Sequence, residues 1–247
     1  ESIANSGGVV LDIAAIAEVA HRHKLPLIVD NTMATPYLCK PFEHGADIVV
    51  HSLTKFMGGH GNSMGGVIVD GGTFDWSADD RYPMLSQPRP EYNGIVLHET
   101  FGNFAFAIAC RVLGLRDLGP AISPFNAFMI LTGIETLPLR MQRHCDNALK
   151  VAEHLKGHDK VAWVSYAGLP DDPGHQRERS GWHGDQPSGA RDDRLELGWL
   201  RDVLASQAGT VRRDPFPRRR SVRRQLGGGP HLRHVSFVGL GWTWCAD

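Results

Sequence analysis

No stretch of this 247-residue chain approaches the roughly 20 consecutive apolar residues that a membrane-spanning helix needs. The first residues also lack the basic, apolar, small-residue order of a signal peptide, so a cytoplasmic location and no membrane partner are expected. Charge of one sign is missing too: a formal net charge of -1 gives no general attraction to nucleic acid or to an anionic membrane. Cysteine is sparse, and Cys39, Cys110, Cys145 and Cys245 form no C-x-x-C pair, which argues against a disulfide framework and against a zinc site. They are expected to be buried thiols. No H-x-x-x-H or His/carboxylate cluster accompanies His51, His60 and His98, so these take core or surface roles and no metal is expected. G-x-x-x-x-G-K is absent, which excludes a phosphate-cradling P-loop of that type. With 42% hydrophobic and 21% charged residues, the composition is that of a globular protein of one or two domains.

A further absence is local. Residues 173–247 contain no Lys, Ile, Asn, Met or Tyr, although all five occur before them. Up to residue 172 the chain has 13 Lys and Arg against 19 acidic residues; beyond it, 13 Arg face only 8 acidic residues. The missing types have AT-rich codons, whereas Arg, Gly and Pro, which dominate residues 214–224 and 227–230, have GC-rich ones. The expectation is a GC-rich gene segment read in the wrong frame and poorly ordered. The rival is a basic nucleic-acid-binding tail, against which Trp182, Trp199, Trp242 and Trp244 count as unusual for a solvating segment. The start is abrupt as well: there is no initiator Met and a core strand is reached by Leu27, so an upstream portion of the domain is expected to be missing.

What is present before residue 173 has regular patterning. Asp12 is placed to cap a helix in which Ile13, Ile16, Ala17 and Ala20 recur at helical spacing, with His21, Arg22, His23 and Lys24 at its end and Pro26 as a stop. Leu27, Ile28 and Val29 form a short apolar run suited to a strand buried on both faces. Ile48 to Val50 and Val67 to Val69 form two more. Strands separated by helical or loop connections point to an open α/β sheet, whose ligands sit beyond the carboxyl ends of the strands. Residues 105–112 and 127–155 read as helices broken into pieces by Pro120, Pro124 and Pro138. Residues 160–164 are a candidate strand of a second domain. The division expected is 1–118 as part of a cofactor-binding domain, 119–172 as connecting helices and the start of a smaller one, and 173–247 as the anomalous tail.

Asp30 and residues 51–55 lie at the predicted carboxyl ends. A carboxylate there can hold a proton on a ring nitrogen, though Asp-Asn pairs are equally at home in turns. Ser52 and Thr54 offer hydroxyls that can donate to phosphate oxygens, and a partly desolvated Lys55 would be a nucleophile at neutral pH. Gly58, Gly59, Gly61, Gly65 and Gly66 then permit tight turns beside a ligand. An amine, an acid and phosphate donors are what pyridoxal phosphate requires of a protein.

The stretch VDNTMATPYLCKPFEHGADIVVHSLTKFMGGHGNSMGGVIVDGG, residues 29–72, closely resembles the Cys/Met-metabolism group of pyridoxal-phosphate enzymes. The resemblance extends from ESIAN at residues 1–5 through FDW at 74–76, ETFGN at 99–103, LRDLGPAISPFNAF at 115–128 and GIETLPLRMQRHCDNALKVAEHL at 133–155, essentially residues 1–172. Equal intervals of 25 positions separate Asn5 from Asp30 and Asp30 from Lys55. The resemblance implies a fold-type I α/β transferase, represented by the central part of its large-domain sheet and the start of the small domain. It also implies that Lys55 forms the Schiff base with pyridoxal 5'-phosphate, Asp30 pairs with the ring nitrogen, Ser52 and Thr54 bind phosphate, Asn5 contacts the phenolic oxygen and Thr32 lies close to the ring. Residues 115–155 are most similar to members that act on O-acetylhomoserine. That implies γ-replacement by sulfide or a thiol to give homocysteine or methionine, with an amino acid and sulfide or thiol as partners and a homodimer or homotetramer as the complete assembly. A γ-lyase or cystathionine γ-synthase activity is the alternative within the group. The alternative of another class is a truncated, non-catalytic remnant. The group's phosphate loop, ring-stacking Tyr, neighbour-subunit Tyr and Arg, and substrate-carboxylate Arg have no counterpart identified in this chain.

Overall fold

The computed structural model describes residues 1–175 together with the backbone of residues 234–236. Its α-helices are α1 (Ile13–Arg22), α2 (Thr35–Leu38), α3 (Pro83–Ser86), α4 (Leu97–Phe101), α5 (Ala105–Ala109), α6 (Pro124–Glu135) and α7 (Leu137–Lys156), and a π-helix, Cys110–Leu118, continues α5. The strands are β1 (Ile28–Asp30), β2 (Ile48–Ser52), β3 (Gly66–Asp70) and β4 (His234–Ser236), hydrogen-bonded in the order β1-β2-β3-β4. β1 and β2 run parallel, with Asp30 opposite Val50, so both end at the same edge of the sheet. β3 returns antiparallel, with Gly66 opposite Ser52, and β4 is antiparallel to β3. Among the described residues, no helix is long and apolar enough to cross a membrane.

Alternate side chains of a strand point to opposite faces, so a continuous apolar run is stable only where both faces are covered. β2 and β3 meet that condition. Val49, Val67 and Val69 enter one buried cluster with Val29, Ile130, Ile134, Leu137 and Met141, supplied by β1, α6 and α7. Ile48 enters a second, with Trp76, Leu85, Leu97 and Ala105, against which Val50, Ile68, Phe74 and Phe106 pack. Trp76 stacks on Phe106 at 5.2 Å with 12° between the rings.

β1 departs from the two-sided burial expected of it. Val29 is buried but Ile28 is 53% exposed, because β1 is the outer strand of the described sheet and only its inner face meets the core.

The first helix runs as predicted: Asp12 accepts the Ala15 N–H at 3.0 Å, and Ile13 and Ala17 are buried. Ile16 on the same predicted face is 39% exposed, and the helix ends at Arg22, before Pro26. Pro124 and Pro138 initiate helices and do not break them. Each stands in a first turn, where the missing N–H would have no intrahelical partner, and Ser123 caps α6 through Asn126 N–H at 3.1 Å. Residues 160–164 are not a strand: Lys160 lies in a turn and residues 161–164 are irregular, with no strand pairing among the described residues. Apart from residues 173–175 and the β4 backbone, the tail expected over 173–247 lies outside the described residues.

The α6–α7 junction is packed tightly enough to test. A Cβ added at Gly133 would stand 2.0 Å from the carbonyl oxygen of Gly58. Backbone cannot yield as a side-chain tip can, so Gly133→Ala is expected to destabilise the chain by about 1–3 kcal/mol, read from the urea midpoint. An unchanged midpoint would mean that the two backbones do not approach this closely.

Candidate active site

The parallel pairing of β1 and β2 brings Asp30 and Ser52 to one edge, and the chain beyond each strand is tied to the other. Thr32 N–H donates to Asp30 Oδ1 at 2.9 Å, and Ser52 N–H donates to Thr32 Oγ1 at 2.8 Å. Asn31 N–H donates to the Val50 carbonyl at 2.9 Å, extending the ladder one residue past the strand. Asn31 is itself fully buried: it receives Ser2 Oγ–H at 2.7 Å and donates Nδ2–H to the Cys39 carbonyl at 2.9 Å. Ser2 N–H donates to the Asp30 carbonyl at 2.8 Å, which pins the N-terminal segment to the same edge.

Lys55 follows β2 on a turn over residues 53–58. Leu53 N–H donates to Gly65 O at 2.9 Å, Gly58 N–H to Leu53 O at 2.8 Å and Gly59 N–H to Lys55 O at 2.7 Å. Gly59 has a φ of +71°, a region where a side chain is strained. The Thr54 hydroxyl receives Gly65 N–H at 3.2 Å and faces Gly65 O at 3.4 Å, so it braces the turn as well as standing at the strand end.

The structure therefore gathers Asp30, Thr32, Ser52, Thr54 and Lys55 at the carboxyl ends of β1 and β2. Asn5 is held less closely: it is exposed, in the loop between the bridged residues Ile3 and Val10, and its N–H donates to Glu1 Oε2 at 2.6 Å. Asp30 is half-buried, whereas the Lys55 side chain is exposed. The desolvation invoked for Lys55 from the sequence is thus not provided by the described residues, because the turn carries it outward beyond the strand end.

One residue at this edge has the buried role expected of it, and a second carried no signal in the sequence. His51 is 5% exposed, and its Nδ1 lies 3.1 Å from the Asn31 carbonyl, which can only accept, so Nδ1 carries the proton. Burial pushes its pKa down to about 4, against opposing pulls from the Asp30 charge and the Asn31 carbonyl. Its burial fits the core or surface role expected from the sequence. The second is Arg140, whose guanidinium reaches the turn after Lys55. Cys39 is buried as expected, and burial raises its thiol to about 12, which keeps it protonated and unreactive. Cys110 is only partly buried, but burial likewise takes its thiol to about 12.

An open cavity of about 840 Å³ lies at the opposite end of the strands, lined by His21, Lys24, Asp47, Thr73, Asp75 and Asn103 among others. Asp47 is committed to structure there: one oxygen meets His21 Nε2 and Leu27 N–H, both at 2.8 Å, and the other receives Thr73 Oγ1–H at 3.3 Å.

A carboxylate held by a backbone N–H, an amine on a braced turn and hydroxyls beside a strand end fit the three demands of pyridoxal phosphate. The comparisons agree with that class. Residues 1–185 match the Cys/Met metabolism PLP-dependent enzyme family, and the chain belongs to it. It is 55% identical over 180 residues to the O-acetyl-L-homoserine sulfhydrylase of Leptospira meyeri, covering 70% of this chain and 40% of that protein. It is 52% identical over 178 residues to the homocysteine synthase of Schizosaccharomyces pombe, with 71% and 42% covered. The fold resembles a Campylobacter jejuni protein described as an O-acetylhomoserine (thiol)-lyase with N'-pyridoxyl-lysine-5'-monophosphate. The TM-score is 0.69 at 36% identity, over 73% of this chain and 44% of that one. The O-acetylhomoserine sulfhydrylase of Wolinella succinogenes gives a TM-score of 0.62 at 36% identity, with 73% and 48% covered. The chain thus spans about two fifths of the length of the curated relatives it matches.

Proposed function

We propose that the protein to which this chain belongs replaces the γ-acetoxy group of O-acetylhomoserine with sulfide or a thiol, releasing acetate and giving homocysteine or a thioether such as methionine. The observation that carries this reading is the convergence of Asp30 and the Lys55 turn on one sheet edge, in a chain about half identical to a sulfhydrylase and a homocysteine synthase. When bound, pyridoxal phosphate supplies an electron sink for charge that develops at the substrate's α-carbon. Asp30, oriented by Thr32 N–H, keeps the ring nitrogen protonated by accepting its hydrogen bond. Lys55 would hold the cofactor through its aldehyde. The Lys55 amine, when free, would serve to move protons between the α, β and γ carbons. Ser52 and Thr54 would donate to the phosphate, Thr32 would lie against the ring, and Asn5 would reach the phenolic oxygen.

The test is product analysis on the whole protein given cofactor, O-acetylhomoserine and sulfide. Equimolar acetate and homocysteine are expected. Ammonia and α-ketobutyrate in place of homocysteine would assign γ-elimination, and no product from a cofactor-loaded protein would remove the sulfhydrylase reading.

A further inference from the structure

Arg140 is in α7, 84 positions from Phe56, yet its guanidinium reaches the backbone that follows Lys55. Nη1 donates to the Phe56 carbonyl at 2.7 Å, while Nη2 donates to Met57 O at 3.2 Å and to Gly133 O at 2.7 Å. Nε donates to Thr136 Oγ1 at 3.0 Å. All four acceptors are neutral, and burial lowers the Arg140 pKa, so the charge is partly desolvated for the sake of backbone carbonyls. Hydrogen bonds from a charged donor are stronger than neutral ones, and the planar fork can meet several acceptors at fixed angles, which a lysine ammonium cannot.

Phe56 and Met57 are the two residues after Lys55, and their carbonyls belong to the turn that presents it. Gly59 passes so near that a Cβ there would lie 2.5 Å from the guanidinium carbon. The same guanidinium also binds the last turn of α6 through Gly133, next to the point where Gly133 meets Gly58. One side chain thus clamps the Lys55 turn to the α6–α7 junction.

We infer that Arg140 is a positioning residue: its guanidinium fixes the turn over residues 53–58 and thereby holds the Lys55 amine at the strand edge shared with Asp30. Its relevance to cofactor binding rests on the function proposed above; its effect on the turn does not.

The test compares Arg140→Met and Arg140→Lys with the unaltered chain by amide hydrogen exchange and by titration with pyridoxal phosphate followed by visible absorbance. In Arg140→Met, exchange at Gly58 and Gly59 should accelerate about tenfold or more while β2 and β3 stay within about twofold, since the loss is local. The half-saturating cofactor concentration should rise about tenfold in parallel, with Arg140→Lys intermediate in both measurements. Unchanged exchange at Gly58 and Gly59 would overturn the inference. So would equal acceleration across β2 and β3, which would make Arg140 a general stability residue. Should Arg140→Met fail to fold, Arg140→Lys gives the same local-against-global comparison: acceleration confined to Gly58 and Gly59 supports the clamp, and uniform or absent acceleration overturns it. If the unaltered chain takes up no cofactor at Lys55 while the exchange pattern holds, the cofactor reading fails and the clamp stands.

Discussion

Replacing Lys55 with alanine is expected to abolish covalent attachment of pyridoxal phosphate and, in the whole protein, to lower turnover by about 10²–10⁴-fold for the proton transfers alone. Only an amine can condense with the aldehyde, and the turn that carries Lys55 begins where β2 ends beside Asp30. The neighbouring lysines are differently engaged. Lys40 lies 3.9 Å from Glu43, and Lys24 Nζ donates to the Ala78 carbonyl at 3.3 Å, at the opposite end of the strands. Borohydride reduction of the cofactor-loaded protein followed by peptide mapping should label Lys55 and leave Lys55→Ala unlabelled. A label on Lys24 or Lys40 would overturn the assignment of the amine.

Those features of the site that depend on local order were legible in the sequence. An apolar run ending at Val50 followed at once by His51, Ser52, Thr54 and Lys55 places hydroxyls and an amine at or just beyond a strand end whatever the rest of the fold does. The Asp12 cap is similarly local, since a capping side chain reaches only three residues ahead. Less was legible where tertiary context decides. An apolar run shows that a strand is buried and not which way it points, so the antiparallel return of β3 could not be read from Val67 to Val69. The exposure of Ile28 depends on which strand lies outermost. Pro138 looks like a helix breaker by residue type, but it opens α7 because the junction at Thr136 falls just before it. Arg140 is the clearest case: its partners Phe56 and Met57 are backbone carbonyls more than 80 positions away, and no pattern of residue types marks a carbonyl as needing a donor.

Lowering the pH from 7 to 4 is expected to destabilise the folded chain by roughly 3 kcal/mol through His51 alone. The imidazole is buried, its Nδ1–H is spent on the Asn31 carbonyl, and protonating the ring there would place a charge in a desolvated site. Burial therefore holds its pKa at about 4 in the folded chain against 6.5 for a free histidine, despite the opposing pull of Asp30. Between those values the unfolded chain binds the proton more readily than the folded one, so stability is fully present above about 6.5 and is lost as the pH falls toward 4. Asp70 acts in the opposite sense. Burial raises its carboxyl above the ordinary value, so protonation there relieves a penalty of the folded state as acid is added. The two can be separated by measuring urea unfolding from pH 7 to pH 4 in the unaltered chain and in His51→Gln, whose amide keeps a donor but cannot take up a proton. The variant should lose most of the decline between pH 6.5 and 4 even if it starts less stable. A decline of the same size in both proteins would show that His51 is not the group being titrated. Because His51 immediately precedes Ser52 on β2 and faces the carbonyl of Asn31, acid should also loosen the Asp30 edge, seen as lower protection of the Asn31 and Thr32 amides relative to their intrinsic exchange rates over the same pH interval.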